Sequence, residues 1–481
     1  MLFNSLAFAL FFPIVIILYF LIPHRFRWVF LLAASYYFYM CWKAEYALLI
    51  MLSTIVDYFV AIKMSNIPEK PKRKKWLFIS LFVNLGLLFT FKYFNFFGNS
   101  LNAIFDSINI MAEVPAFKLL LPVGISFYTF QTLSYSIDVY NGKVAPEKHF
   151  GIFALYVSFF PQLVAGPIER PDRLLPQFRE KFIFDYDRVV DGIRMMAWGF
   201  FMKLVIADNV APIVDVVFKS PDKYEGFQVL LATFFFAYQI FCDFAGYSII
   251  AIGTAKIMGY DLMQNFNRPY FATSVRDFWQ RWHISLSTWF RDYLYIPLGG
   301  NRVVKWRWYY NLMVTFVVSG LWHGANWTFV IWGFLHGFYL VFAILSESFR
   351  DRFNASIGLN KIPRLLTFFQ VSITFVLACL AWVFFRAQSV GDALTLIGNM
   401  PKIKMSQLNW DIIPGKGADI VTALIFIGIL TIIHFCQEYL KWKNPLFSQS
   451  PAIRWATYIL IGLVTLSFGR FASSEFIYFR F

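Results

Sequence analysis

The chain has 481 residues, of which 59% are hydrophobic, 21% aromatic and 15% charged, against about 25% charged in an ordinary soluble domain. With 43 basic and 28 acidic residues it carries a formal net charge of +15. The basic residues sit between apolar runs, which fits anionic lipid and a positive-inside bias and argues against nucleic acid.

Apolar runs near the roughly 20-residue length that spans a bilayer recur along the chain. They predict an all-α polytopic membrane protein, a helical bundle forming a single domain over residues 1–481. The run at residues 3–22 is long for a signal-peptide core and has no small-residue cleavage site after it, so it reads as a retained helix. Further runs follow at 28–42 and 46–62. Pro68-Glu69-Lys70-Pro71-Lys72-Arg73-Lys74-Lys75 is too charged to bury, and its prolines oppose a helix. The positive-inside rule puts it in the cytoplasm and the N-terminus outside. Residues 76–97 then cross outward and 119–136 inward, completing a set of peripheral helices over 1–137.

Residues 150–345 read as the core. The apolar stretch 150–168 is interrupted by Pro161, Gly166 and Pro167 and fits a re-entrant segment, whose backbone must be covered by protein or line a cavity. Residues 169–188 read as an amphipathic surface segment. Spans follow at 189–207 and 227–258. The second contains Cys242-Asp243-Phe244-Ala245-Gly246-Tyr247, where Asp243 is expected to pair between helices. Residues 260–307 carry Arg268, Arg276, Arg281, Arg291, Arg302, Lys305 and Arg307 among aromatic residues. They read as short helices dipping into the bilayer and lining a basic mouth; attraction to anionic lipid accounts for the same charge.

Three of the chain's 6 histidines, His283, His323 and His336, lie within residues 265–337. An ionisable group at membrane depth marks a candidate functional site, and a histidine satisfied by a neighbouring helix is the bland alternative. Gly320 and Gly324 flank His323 and would let a backbone or ligand approach it, as in a narrow tunnel. On a continuous helix His336 would point about 220° away from His323, so it is expected to be structural. If the segments either side of His323, 308–321 and 327–345, each cross, the runs at 365–385, 420–440 and 453–468 bring the total to about twelve crossings with both termini outside. The loop 386–419 falls outside and the basic turn at Lys441 in the cytoplasm. Cys41, Cys242, Cys379 and Cys436 lie in or beside apolar runs without CxxC spacing, which predicts buried thiols and no metal site. The aromatic end 476–481 reads as an interfacial anchor.

Trp282-His283, Trp289-Phe290-Arg291-Asp292-Tyr293 and Leu321-Trp322-His323-Gly324 together resemble the membrane-bound O-acyltransferase family. Phe160-Pro161-Gln162, Ala165-Gly166-Pro167-Ile168 and Asn267-Arg268-Pro269-Tyr270 extend the resemblance over nearly the whole chain. It is nearest to the bacterial branch that contains the alginate O-acetyltransferase membrane subunit and the D-alanyl transferase of teichoic acid. The resemblance implies a bundle with re-entrant segments and a central tunnel, in a multi-pass protein of the bacterial inner membrane. It implies His323 as the catalytic histidine, His283 as a second family histidine, and acetyl-coenzyme A as cytoplasmic donor with no tightly bound cofactor. The donor's phosphates would meet Arg268, Arg276, Arg281, Arg291, Lys305 and Arg307. The end of the chain is similar to a Phe-x-Tyr-Phe-x-Phe terminus of such systems, which makes Tyr478 an acyl-carrier candidate. The implied partners are membrane lipid, a separate extracytoplasmic acetyltransferase and a polysaccharide acceptor. Transfer of D-alanine or another acyl group, a transporter or flippase of lipid-linked sugars, and a membrane scaffold are the competing readings.

Overall fold

The computed structural model describes residues 1–117, 120–164, 166–405, 412–442, 450–471 and 476–477. Helices of several lengths make up the regular structure, and no strand occurs among the described residues. There, 7 helices are long and apolar enough to cross a membrane: Ala44–Ser65, Lys70–Ser107, Phe227–Met258, Trp327–Leu345, Pro363–Arg386, Gly417–Tyr439 and Pro451–Phe468. The chain is a multi-pass membrane protein. The first apolar run is the 16-residue helix Leu6–Leu21, started by Ser5, whose side chain accepts from the Phe8 N–H.

The basic stretch departs from its expected loop conformation. Lys70 already begins the helix Lys70–Leu88. Pro71 falls in its first turn, where a missing N–H costs nothing because no intrahelical acceptor is in reach. The charge stays exposed through Lys70, Lys72, Lys74 and Lys75. The cysteines also depart in part from expectation. Cys242 is buried and Cys379 and Cys436 are half-buried, but Cys41 is exposed, because it follows the last turn of the helix His24–Met40.

The chain folds as two compact units. The first comprises Met1–Met196 and Tyr247–Met263. Its helices Ala47–Ser65, Lys70–Leu88 and Ile125–Asn141 pack around a buried polar knot. Asp57 accepts from Asn84 at 2.8 Å and Ser136 at 2.9 Å, and also from Ser80. Polar side chains that find one another inside an apolar bundle replace the water they have lost. The interrupted stretch forms two short helices, Phe150–Ser158 and Phe160–Leu163, broken at Phe159. Protein satisfies the broken backbone: the Phe160 N–H donates to Ser35 Oγ at 3.1 Å, and Gln131 and Gln162 both donate to the Tyr156 carbonyl.

The second unit comprises Ala197–Gly246 and Gln264–Phe481. It opens on the end of a helix that loosens into a π-helical turn over Phe201–Ala207 and resumes as Asp208–Phe218. Such turns mark functional sites more often than chance would place them. A second π-helical turn, Arg291–Tyr295, follows the short helices Val275–Arg281 and Ile284–Phe290. The helices Lys305–His323 and Trp327–Leu345 then form a tight hairpin.

Candidate active site

His283 occupies the corner between the short helices Val275–Arg281 and Ile284–Phe290, with φ +44° and ψ +54°. Few residues other than glycine adopt this left-handed conformation, and its cost is met where the surroundings over-determine it. Asn265 supplies that constraint. Its backbone carbonyl accepts from the Ile284 N–H at 2.9 Å, and its side-chain oxygen accepts from Ser285 Oγ at 2.9 Å. Asn265, His283 and Ser285 are all buried.

His323 is the last residue of the helix Lys305–His323. Asn326 caps the next helix, its side chain accepting from the Thr328 N–H at 3.0 Å. The chain therefore breaks between His323 and His336, and a single continuous helix does not relate them. The glycines here serve the hairpin. A Cβ on Gly320 would strike the Phe329 carbonyl and lie 3.1 Å from the Gly333 α-carbon; one on Gly324 would strike the Phe329 ring. What approaches these glycines is the second helix of the hairpin, the small-residue packing common between membrane helices.

The hairpin and the corner bring His283 and His323 together. The rings of His283 and His323 lie 6.4 Å apart, centroid to centroid. Phe244 packs on His283 at 4.5 Å, and Trp332 and Phe385 on His323 at 4.8 and 5.5 Å. His336 takes a different role: its Nδ1 accepts from Trp279 Nε1 at 3.2 Å. Trp332 separates the two, centred 4.8 Å from His323 and 4.9 Å from His336. His336 is thus held by Trp279 rather than against His323.

The basic candidates divide into two groups. Arg268 and Arg281 both pair with Glu438, at 2.7 and 2.8 Å, and Arg281 also pairs with Asp277 at 2.8 Å. Arg291 pairs with its neighbour Asp292 at 2.8 Å. Arg276 and Lys305 are exposed and carry no ion pair among the described residues, while Arg307 is half-buried with its guanidinium 4.9 Å from the Tyr310 ring centroid. Tyr478 lies outside the described residues.

Asp243 pairs between helices as expected, and its partner is a residue the sequence reading passed over. Lys203 Nζ lies 2.6 Å from Asp243 Oδ1 and 2.8 Å from Asp208 Oδ1, with all three side chains buried. Gly246 allows the approach, since a Cβ there would meet the Gly199 carbonyl at 2.7 Å and Lys203 N at 3.2 Å. A lone lysine inside Phe-Phe-Met-Lys-Leu-Val-Ile was the available signal. Such a cation is expensive in hydrocarbon unless paired. Asn265 and Glu438 were also missed, because nothing in their local sequence distinguishes them.

Residues 149–386 match the family model described as MBOAT, membrane-bound O-acyltransferase family; both histidines fall within that range. The chain is 37% identical to the "Probable alginate O-acetylase AlgI" of Pseudomonas aeruginosa, over 92% of this chain and 84% of that one. It is 37% identical to the peptidoglycan O-acetyltransferase of Helicobacter pylori, over 77% and 73% of the two chains. It is 29% identical to the teichoic acid D-alanyltransferase of Bacillus subtilis, over 57% and 71%. A multi-pass helical chain with these converging histidines and these relatives belongs to the membrane-bound O-acyltransferase family.

Proposed function

We propose that this acyltransferase moves an acetyl group from acetyl-coenzyme A on the cytoplasmic side to a hydroxyl destined for a cell-envelope polysaccharide. The convergence of His283 and His323 within 6.4 Å in a buried aromatic setting carries the reading. The names of the relatives matched over most of the chain, an alginate O-acetylase and a peptidoglycan O-acetyltransferase, support acetyl as the group and a glycan as the acceptor. D-alanyl transfer is the second reading, favoured by the shorter match to a teichoic acid D-alanyltransferase.

In this mechanism His323 takes the proton of the acceptor hydroxyl as its oxygen attacks the thioester carbonyl. The tetrahedral adduct collapses with cleavage of the C–S bond, and the proton passes from the imidazolium to the departing thiolate. His283, fixed by Asn265, positions the reacting groups. The exposed cations Arg276 and Lys305 meet the donor's phosphates, with Arg268, Arg281, Arg291 and Arg307 shaping the same basic region. Tyr478 is the first acceptor, passing acetyl to a separate extracytoplasmic transferase. The protein sits in the inner membrane with both termini outside. Mass spectrometry of the protein after incubation with acetyl-coenzyme A tests this directly. Acetyl on Tyr478, absent in His323→Ala, is expected; thioester consumption without any protein-bound acetyl would favour direct transfer to the glycan. No thioester consumption would overturn the donor assignment.

A further inference from the structure

Lys203, Asp208 and Asp243 form a buried charged cluster inside an apolar unit. Such charge calls for hydrogen-bond donors, because water is excluded and an uncompensated ion is costly. One donor comes from far along the chain. The backbone N–H of Ile477 donates to Asp243 Oδ2 at 2.7 Å, across 234 residues of sequence. Phe476 and Ile477 are both buried, and the Phe476 ring lies 5.7 Å from that of Phe244. Phe244 in turn packs on His283 at 4.5 Å.

The same segment is tied down just upstream, on the residues that flank Lys203. The Arg470 N–H donates to the Leu204 carbonyl at 3.2 Å. Asn209 Nδ2 donates to the Phe468 carbonyl at 2.7 Å, and Arg470 Nε donates to Asn209 Oδ1 at 2.8 Å. The π-helical turn Phe201–Ala207 thus carries Leu204 for one anchor and Lys203 for the other.

The geometry points to Asp243, braced by Lys203, as the receptor for the segment at residues 476–477, a positioning residue that holds this segment beside Phe244 and His283. Its purpose deepens the acyl-transfer reading and rests on it: a carrier or acceptor group borne by this segment is delivered to the histidines by a backbone anchor, independently of its side chains. A carboxylate suits this task because a charged acceptor strengthens an N–H bond roughly twofold over a neutral one. The Lys203 ammonium offsets the cost of placing that carboxylate in apolar surroundings, and Gly246 sets the distance between them.

The experiment is hydrogen–deuterium exchange on the full chain in detergent, with fragmentation that resolves the Ile477 amide. The wild type is compared with Asp243→Ala, Asp243→Asn and Asn311→Ala. The last cuts buried hydrogen bonds to the Leu298 and Gly300 carbonyls in the same unit and controls for general loosening. Exchange at Ile477 should quicken about 10- to 100-fold in Asp243→Ala, the factor expected for losing one bond to a charged acceptor. Asp243→Asn, which keeps a neutral acceptor, should fall between, and Asn311→Ala should match the wild type. Wild-type exchange in Asp243→Ala would overturn the assignment, as would equal acceleration in Asn311→Ala. Acetyl transfer is measured on the same preparations. A wild type that protects Ile477 yet consumes no thioester would refute the acyl-transfer reading and leave the anchor standing.

Discussion

The imidazoles of His283 and His323 lie 6.4 Å apart with their planes inclined at 65°. One is set by a left-handed corner and the other by the end of a helix. Neither device is redundant: the corner aims His283, and the glycine-lined hairpin sets how far His323 reaches into the unit.

The hairpin can be tested through its glycines. Gly320→Ala places a methyl group against the Phe329 carbonyl, and overpacking of this kind costs about 1–3 kcal/mol. Gly462→Ala, in the helix Pro451–Phe468 with open space around it, should be neutral or stabilising by about 0.5–1 kcal/mol. Thermal unfolding in detergent should place Gly320→Ala below the wild type and Gly462→Ala at or above it.

Trp279 should matter to stability more than to chemistry. Trp279→Phe removes the hydrogen bond to His336 Nδ1, worth about 1 kcal/mol, while keeping a ring near Phe316 and Trp332. A lower unfolding temperature with turnover within about threefold of wild type is expected. A loss of turnover as large as that of a histidine variant would move His336 into the catalytic machinery.

The two groups of cations should behave differently. Arg276→Ala and Lys305→Ala should raise the KM for acetyl-coenzyme A with little change in kcat, the signature of uniform substrate binding. Arg281→Ala leaves Glu438 with Arg268 as its ion-pair partner among the described residues and removes the Asp277 ion pair. It should lower unfolding temperature as well as activity.

Glu169 predicts a pH dependence. It is fully buried in the connection leading into the helix Pro171–Gln177, and its Oε1 accepts from the Met263 N–H. Burial pushes its carboxyl up to about 7, against the opposing pull of the Met263 N–H and Arg173. A raised carboxyl favours the folded state while it is protonated. Its contribution is therefore full below about 4.5, where the unfolded carboxyl titrates, and is lost as pH rises to about 7. Glu169→Gln should be less sensitive than the wild type between those limits when unfolding temperature is followed against pH.

Much of this was legible in the sequence because the membrane imposes strong rules. Apolar length announced most spans, Pro161 and Gly166 announced the broken stretch at 150–168, and the tryptophan–histidine motifs picked out the two histidines whose rings converge. What could not be read was long-range pairing. Lys203 meets Asp243 only through a helix crossing at Gly246, and Glu438 claims two arginines that local sequence presented as free. Proline was misleading at Pro71, where position in the helix decides its effect. Gly320 and Gly324 were read as room for a backbone or a ligand, and what they receive is the backbone and the Phe329 ring of the next helix.

The central claim is that His323 is the base for acyl transfer. It is tested most directly by following thiol release and acetyl transfer from labelled acetyl-coenzyme A, for the wild type and His323→Ala at equal folded abundance in proteoliposomes. The account predicts a drop of about 10²- to 10⁴-fold, the usual contribution of a positioned base, with the variant still monodisperse. Wild-type turnover in His323→Ala would contradict it.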